Sequence, residues 1–85
     1  MMHKLTLVIP AKNESESLPK VLKEIEHLKI KVIVVIPTED YLTRQSIKNF
    51  DCEIIEEKNG RGYGCALRTG IAKVDTEFFC IFNAD

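Results

Sequence analysis

Long hydrophobic runs, tryptophan and an excess of charge of either sign are all missing from this sequence of 85 residues. No apolar stretch approaches the roughly 18–20 residues of a membrane helix. The first apolar run, residues 5–9, is too short for a signal peptide. We therefore expect a soluble, cytoplasmic protein with no membrane segment in this chain. The length permits one domain with a small core.

Basic and acidic residues nearly balance, at 12 and 13, which gives a net charge of −1. No basic stripe is present that would neutralise several phosphates, so the composition argues against nucleic acid as a partner. Hydrophobic residues make up 45% of the chain and charged residues 29%. These fractions are typical of a folded globular protein and argue against intrinsic disorder.

Cysteine is scarce and follows no metal-binding pattern. Cys52, Cys65 and Cys80 are far apart, with no CxxC pair and no Cys/His cluster. An odd number of cysteines without a secretory signal favours free thiols in a reducing compartment. We expect the three to serve as small buried apolar residues.

Four short apolar runs rich in β-branched or aromatic residues predict strands. They cover residues 5–9, 32–36, 53–55 and 78–82. The first, second and fourth show little alternation with polar residues, as expected for strands covered on both faces.

Helical patterns separate the strands, at about residues 18–28, 41–50 and 63–72. In the first, an apolar face repeats at i, i+3, i+4 and i+7. Pro19 fits only in its first turn, with Asn13, Ser15 or Ser17 as the cap. The order βαβαβαβ predicts a three-layer, Rossmann-like parallel sheet of the α/β class. Ligands of such sheets bind beyond the carboxyl ends of the strands.

Three segments at this edge carry possible chemistry. Residues 10–16 begin a helix with N–H groups suited to an anion, although a plain capping segment explains them too. Residues 60–64 hold glycine at every second position with Arg61 between two of them, which suits a phosphate loop or a flexible turn. Asp85 follows the last strand, where a carboxylate is able to hold Mg²⁺ or Mn²⁺.

The order of these segments carries a resemblance. LVIPAKNESESLPKVL is similar to the opening of family 2 glycosyltransferases, approximately V-I-P-x-x-N-E-x-x-x-L-P. NGRGYGCALRTGIAKVDTEFFCIFNAD resembles that family's G-[KR]-G-x-G-x-A-[LI]-R-x-G segment, which is followed by a strand and a D-x-D motif. Within the family, the similarity points most to enzymes with polyprenyl-phosphate acceptors.

The resemblance implies a GT-A fold that binds a nucleotide-diphosphate sugar, with UDP or GDP, together with a divalent metal (Mg or Mn). It assigns the residues in three groups. They are the first nucleotide-binding turn (Pro10, Ala11, Asn13 and Glu14), the loop beside the base and diphosphate (Gly60, Arg61 and Gly62), and the two acid positions of D-x-D (Asn83, with Asp85 as the metal ligand).

The sequence departs from the family pattern at two positions and in its extent. An acid that holds the base or ribose usually ends the second strand, but here the chain reads Pro37-Thr38 and the contact is missing or shifted to Glu39 or Asp40. Asn83 replaces the first acid of D-x-D. Residues 1–85 are expected to form a single partial, truncated GT-A domain without the acceptor-binding half, and it would be inactive alone with no catalytic residue of its own.

Two other functions remain open at this point. A non-catalytic module, or pseudoenzyme, would bind a nucleotide or a partner protein, and it would bind a nucleotide without metal. The other is a doubly wound signalling domain of the response-regulator type, but this sequence lacks the acidic cluster that such a domain has after its first strand.

The last strand would also expose Phe78, Phe79 and Phe82, so self-association through the sheet edge is expected.

Overall fold

The computed structural model describes residues 4–28, 30–58 and 62–84. Strands and helices alternate along the chain, as the apolar pattern predicts. In order they are β1 (Leu5–Pro10), α1 (Ser17–Ile25), β2 (Lys31–Pro37), α2 (Tyr41–Ser46), β3 (Glu53–Glu57), α3 (Tyr63–Ile71) and β4 (Phe78–Ile81). A short 3₁₀ turn, Glu26–Leu28, extends α1.

The four strands form one parallel sheet in the order β3-β2-β1-β4. β1 lies at its centre, with Ile9 opposite Val34 of β2 and Leu7 opposite Cys80 of β4. The chain builds outward from β1 through β2 and β3, and then returns to the other side of β1. Ligands of open α/β sheets bind where the strand order reverses in this way.

Helices cover both faces of the sheet and give three layers. Buried residues of β1 and β2 form one core with Leu18 and Leu22 of α1 and Ile47 at the end of α2. On the opposite face, α3 packs on β1 and β2 so closely that Gly70 leaves no room for a Cβ beside Val8 and Val35. The predicted three-layer α/β fold is therefore confirmed.

The ends of the first two helices differ from the prediction. Pro19 lies in the first turn of α1, as expected, but the N-cap is Glu16 without a side-chain bond, so the predicted caps are wrong. The helix tightens after Ile25, and Leu28 is consequently 52% exposed instead of facing the core. The second helix ends at Ser46, because the fully buried Ile47 leaves helical geometry.

β4 pairs with β1 alone among the described strands, and its side chains are exposed on both faces. Phe78 is 59% exposed, Phe79 44% and Phe82 40%, as predicted. The expectation of burial on both faces is wrong for this strand, because it lies at the sheet edge with no helix packed on it in the described part of the chain. Cys80 is exposed for the same reason, while the other two cysteines are half-buried.

Candidate functional site

A cavity of about 350 Å³ opens at the carboxyl edge of the sheet, a volume within the usual range of small-molecule sites. Residues at or after the ends of all four strands contribute, together with the first turn of α3. Its lining consists of Pro10, Ala11, Lys12, Glu14, Val35, Pro37, Glu57, Gly62, Tyr63, Ala66, Asn83 and Ala84. The prediction of a site at the four strand ends therefore coincides with a real cavity.

Five of the residues singled out from the sequence meet in this cavity. They are Pro10, Ala11, Glu14, Gly62 and Asn83, from two segments about fifty to seventy residues apart in the chain. Asn13 is exposed and lies beside a second, smaller cavity between the turn after β1 and the start of α2. Gly60, Arg61 and Asp85 lie outside the described residues, so their proposed roles stay predictions.

The turn after β1 is built differently from the expectation of free N–H groups. Asn13 has a positive φ of 57°, and its N–H donates to Asp40 Oδ2 at 2.6 Å. The N–H of Glu14 donates to Thr43 Oγ1 at 3.0 Å. Both donors are therefore engaged by α2 and unavailable to an anion. The Glu14 carboxylate, in turn, accepts a hydrogen bond from the Ser17 hydroxyl.

Asp40 serves the fold and does not enter the main cavity. Its second oxygen accepts from the N–H of Thr43 and caps α2. Partial burial would raise the pKa of Asp40, but hydrogen bonds from Asn13 and Thr43 and the nearby Arg44 outweigh it and hold the pKa below its ordinary value. Glu39 is exposed beside the smaller cavity. Neither acid thus lines the main cavity in place of the family's acid after β2.

The first turn of α3 forms one wall of the cavity. Gly62 precedes the helix with φ 92° and ψ −177°, a conformation that is essentially restricted to glycine. Gly62, the N-cap residue, has no side chain that could cap this helix end. Because the first N–H groups of an α-helix have no partner within the helix, this end offers donors and the positive end of the dipole. The arrangement is suited to the oxygens of a phosphate.

Tyr63 and Asn83 connect two sides of the cavity. The Tyr63 hydroxyl donates to Asn83 Oδ1 at 2.8 Å. This bond joins the first residue of α3 to the segment after β4. It fills one of the two acceptor positions of the Asn83 amide oxygen, so the other position and the amide N–H groups are left for a ligand.

Among the lining residues that were not singled out from the sequence as site residues, two are charged. Glu57 ends β3 and is only 8% exposed, and its carboxylate accepts from the Thr69 hydroxyl of α3 at 2.8 Å. Lys12 is exposed at the rim, within the turn after β1. The signal for Glu57 was its place after an apolar strand at the ligand edge, but Glu56 beside it carries the same signal.

The described residues do not by themselves form a metal site. In residues 4–28, 30–58 and 62–84, no three His, Cys, Asp or Glu side chains come together in a way that would hold a metal. Asn83 Oδ1, the oxygen at the first D-x-D position, is neutral and accepts a hydrogen bond from Tyr63. A divalent metal here would depend on Asp85 and on the diphosphate, and so the metal stays a prediction.

A larger cavity, of about 830 Å³, lies at the opposite, amino edge of the sheet. Apolar side chains of α1 and the following segment line it, and Glu26, Asp51 and Glu53 surround them. No helix N-terminus lies at it in the described part of the chain, and its three carboxylates against one ammonium group, that of Lys31, make it less suited to a diphosphate. The main cavity at the carboxyl edge, of about 350 Å³, is therefore the better candidate for a nucleotide.

Comparison with known proteins decides the family. A model of glycosyl transferase family 2 matches residues 6–85. The chain belongs to glycosyltransferase family 2. No helix in the described part of this family 2 chain is long and apolar enough to cross a membrane. No curated protein matches the sequence significantly.

Three chains of solved structures match this family 2 domain. One is the crystal structure of mannosyl-3-phosphoglycerate synthase from Rubrobacter xylanophilus, with a TM-score of 0.82 and 16% sequence identity. The alignment covers 98% of this chain and 31% of the synthase. At that identity the likeness shows a shared GT-A, Rossmann-like fold. The chain spans about a third of the synthase's length, and the predicted similarity to polyprenyl-phosphate enzymes is untested by this match.

Proposed function

We propose that this chain is the donor-binding part of a glycosyltransferase that transfers a sugar from a UDP- or GDP-sugar to an acceptor. The observation that carries the proposal is the cavity at the carboxyl edge, where the two motif segments meet. Family membership supports the reaction class. Because the chain corresponds to under a third of the synthase, we propose that acceptor binding and the catalytic base belong to a larger enzyme.

The chemistry of the cavity suits the two ends of a nucleotide diphosphate. Pro10, Pro37 and Ala66 supply an apolar surface for a flat base. Lys12 and the first turn of α3 supply positive charge and N–H donors for the phosphates. Sugar transfer requires stabilisation of the departing diphosphate, and preorganised donors of this kind stabilise such charge. A divalent metal held with the help of Asp85 would share that charge.

Thermal unfolding with UDP- and GDP-sugars, in Mn²⁺ and then in EDTA, tests the proposal. A bound donor stabilises the fold by mass action, so we expect the melting temperature to rise with donor concentration in Mn²⁺. Replacement of Ala66 by Trp fills the cavity and should abolish the rise. Ala72→Trp, at the exposed far end of the same helix, is the matched control and should retain it. No rise for the folded wild-type chain with any donor contradicts the proposal.

A non-catalytic nucleotide-binding module is the second candidate. Asn83 in place of an acid favours it, because a neutral amide oxygen is a weaker metal ligand than a carboxylate. Such a module would be stabilised by the nucleotide equally in Mn²⁺ and in EDTA. A donor-binding part of a metal-dependent enzyme would lose most of its stabilisation in EDTA, which separates the two candidates.

We also propose that the chain by itself associates with further copies through β4. The exposed edge and the exposed Phe side chains of this strand support the proposal. The cytoplasmic location remains a prediction from the sequence.

A further inference from the structure

The cavity contains a buried carboxylate that the proposed function does not yet use. Glu57 ends β3, is 8% exposed and lines the cavity on the α3 side of the sheet. Glu14 also lines the cavity, but at the turn after β1, where its carboxylate accepts from Ser17. Asp40 is held by the N–H groups of Asn13 and Thr43. Glu57 is therefore the more buried of the two acids that line the cavity.

A carboxylate in this position favours a ligand with hydrogen-bond donors. An ionised carboxylate has about four acceptor positions and no donor. Burial of such a group is costly unless it is hydrogen-bonded. The Thr69 hydroxyl, at 2.8 Å from Oε2, fills one of these positions. A ligand in the cavity is able to fill others, and the apolar residues nearby suit a flat ring that carries its donors on one edge.

The geometry points to Glu57 as the residue that selects the base of the nucleotide, with guanine preferred over uracil; this inference rests on the proposed function. Guanine presents two adjacent donors, N1–H and the 2-amino group, which match the two oxygens of one carboxylate. Uracil presents a single N–H between two carbonyl oxygens, and a carboxylate in line with that N–H brings like partial charges together. Charge-assisted, bidentate pairs of the first kind are strong and specific.

Titration of GDP and UDP into the wild-type chain and into Glu57→Gln tests this inference. A good bidentate contact discriminates by about 1–3 kcal/mol, so we expect wild type to bind GDP at least about fivefold more tightly than UDP. A carboxamide accepts one hydrogen bond and donates another. Glu57→Gln should therefore weaken GDP about tenfold while UDP binding is unchanged or improved. Glu56→Gln is the matched control, since Glu56 is the exposed neighbour on the same strand.

The remaining outcomes each overturn a different statement. Wild type that binds UDP as tightly as GDP overturns the selection of guanine, whether or not the variant folds. Equal weakening of both nucleotides in a folded Glu57→Gln variant overturns the selection of the base and leaves a contact with the ribose or a structural role. Two results found together would show that Glu57 recognises the ribose instead. Wild type would bind 2′-deoxy-GDP more weakly than GDP by the same factor by which Glu57→Gln weakens GDP binding. The Glu57→Gln variant would bind GDP and 2′-deoxy-GDP equally well. Binding of neither nucleotide by the folded wild-type chain overturns the proposed function itself.

Discussion

At the scale of single residues, Asp40 holds the turn after β1 against the start of α2. One carboxylate oxygen accepts from Asn13 and the other from Thr43. The sequence suggested this acid as a ligand of the base or ribose, but the structure uses it to fix the backbone beside the cavity. The same contact explains how Asn13 keeps a positive φ, which asparagine tolerates better than most residues.

Replacement of Asp40 by Ala should destabilise the fold at neutral pH by about 1–2 kcal/mol, the usual cost of losing such a cap. The pKa of Asp40 is lowered in the folded state. Its ionised form therefore adds stability above the unfolded pKa, and this stability is lost as pH falls through the lower folded pKa. Urea unfolding of wild type and Asp40→Ala at pH 7 and near pH 3 should show the difference shrinking in acid.

The matched variant Asp40→Asn keeps one acceptor oxygen but has no titrating group. We expect it to lie between wild type and Asp40→Ala at pH 7. An Asp40→Ala deficit that is the same size at both pH values would contradict the role given to the charge.

At the scale of elements, α3 is the helix that shapes the cavity, and its glycines have separate roles. Gly62 allows the backbone conformation at its start. Gly70 allows its far end to approach the sheet, because an added Cβ would meet Val8 Cγ1 at 2.5 Å and Val35 Cγ2 at 3.0 Å. Gly64 has no atom within 4 Å of such a Cβ.

Gly70→Ala and Gly64→Ala should therefore change stability in opposite directions. The first forces two buried valines apart, which costs about 1–3 kcal/mol and exceeds the gain in helix propensity. The second adds no clash and should raise the free energy of unfolding by up to about 1 kcal/mol. Chemical denaturation of both variants measures this, and a stabilised Gly70→Ala would show that α3 packs less closely than described.

The elements were largely predictable from the sequence, whereas parts of the site were not. Apolar runs and helical periodicity predicted every strand and helix in order, although only β1 and β2 are buried along nearly their whole length. The roles of Glu56 and Glu57 were not separable, since only the packing of α3 shows which of two neighbouring acids faces the cavity. The use of Asp40 depended on a contact between residues far apart in the chain, which periodicity does not reveal.

At the scale of the whole molecule, the exposed fourth strand is the unusual feature. Phe78, Phe79 and Ile81 of β4 are exposed at one end of the sheet, next to an edge without a partner in the described part of the chain. Exposed apolar edge strands invite pairing with another chain.

We expect the isolated chain to form oligomers whose mass rises with concentration, as measured by light scattering after size-exclusion chromatography. A charge on the edge strand should oppose this, so Phe78→Lys should shift the chain towards the monomer. Leu42→Lys, at an exposed apolar residue of α2, is the control and should leave association unchanged. A wild-type chain that is monomeric over the whole concentration range would contradict the expectation.

Hydrogen exchange of the chain with and without a nucleotide-diphosphate sugar tests the central claim most directly. If the cavity at the carboxyl edge binds the donor, amides of residues 62–66 and 81–84 should become protected, while those of residues 50–53 at the amino edge should not change. Protection centred on residues 50–53, or no protection anywhere at saturating donor, would contradict the assignment of this cavity as the donor site.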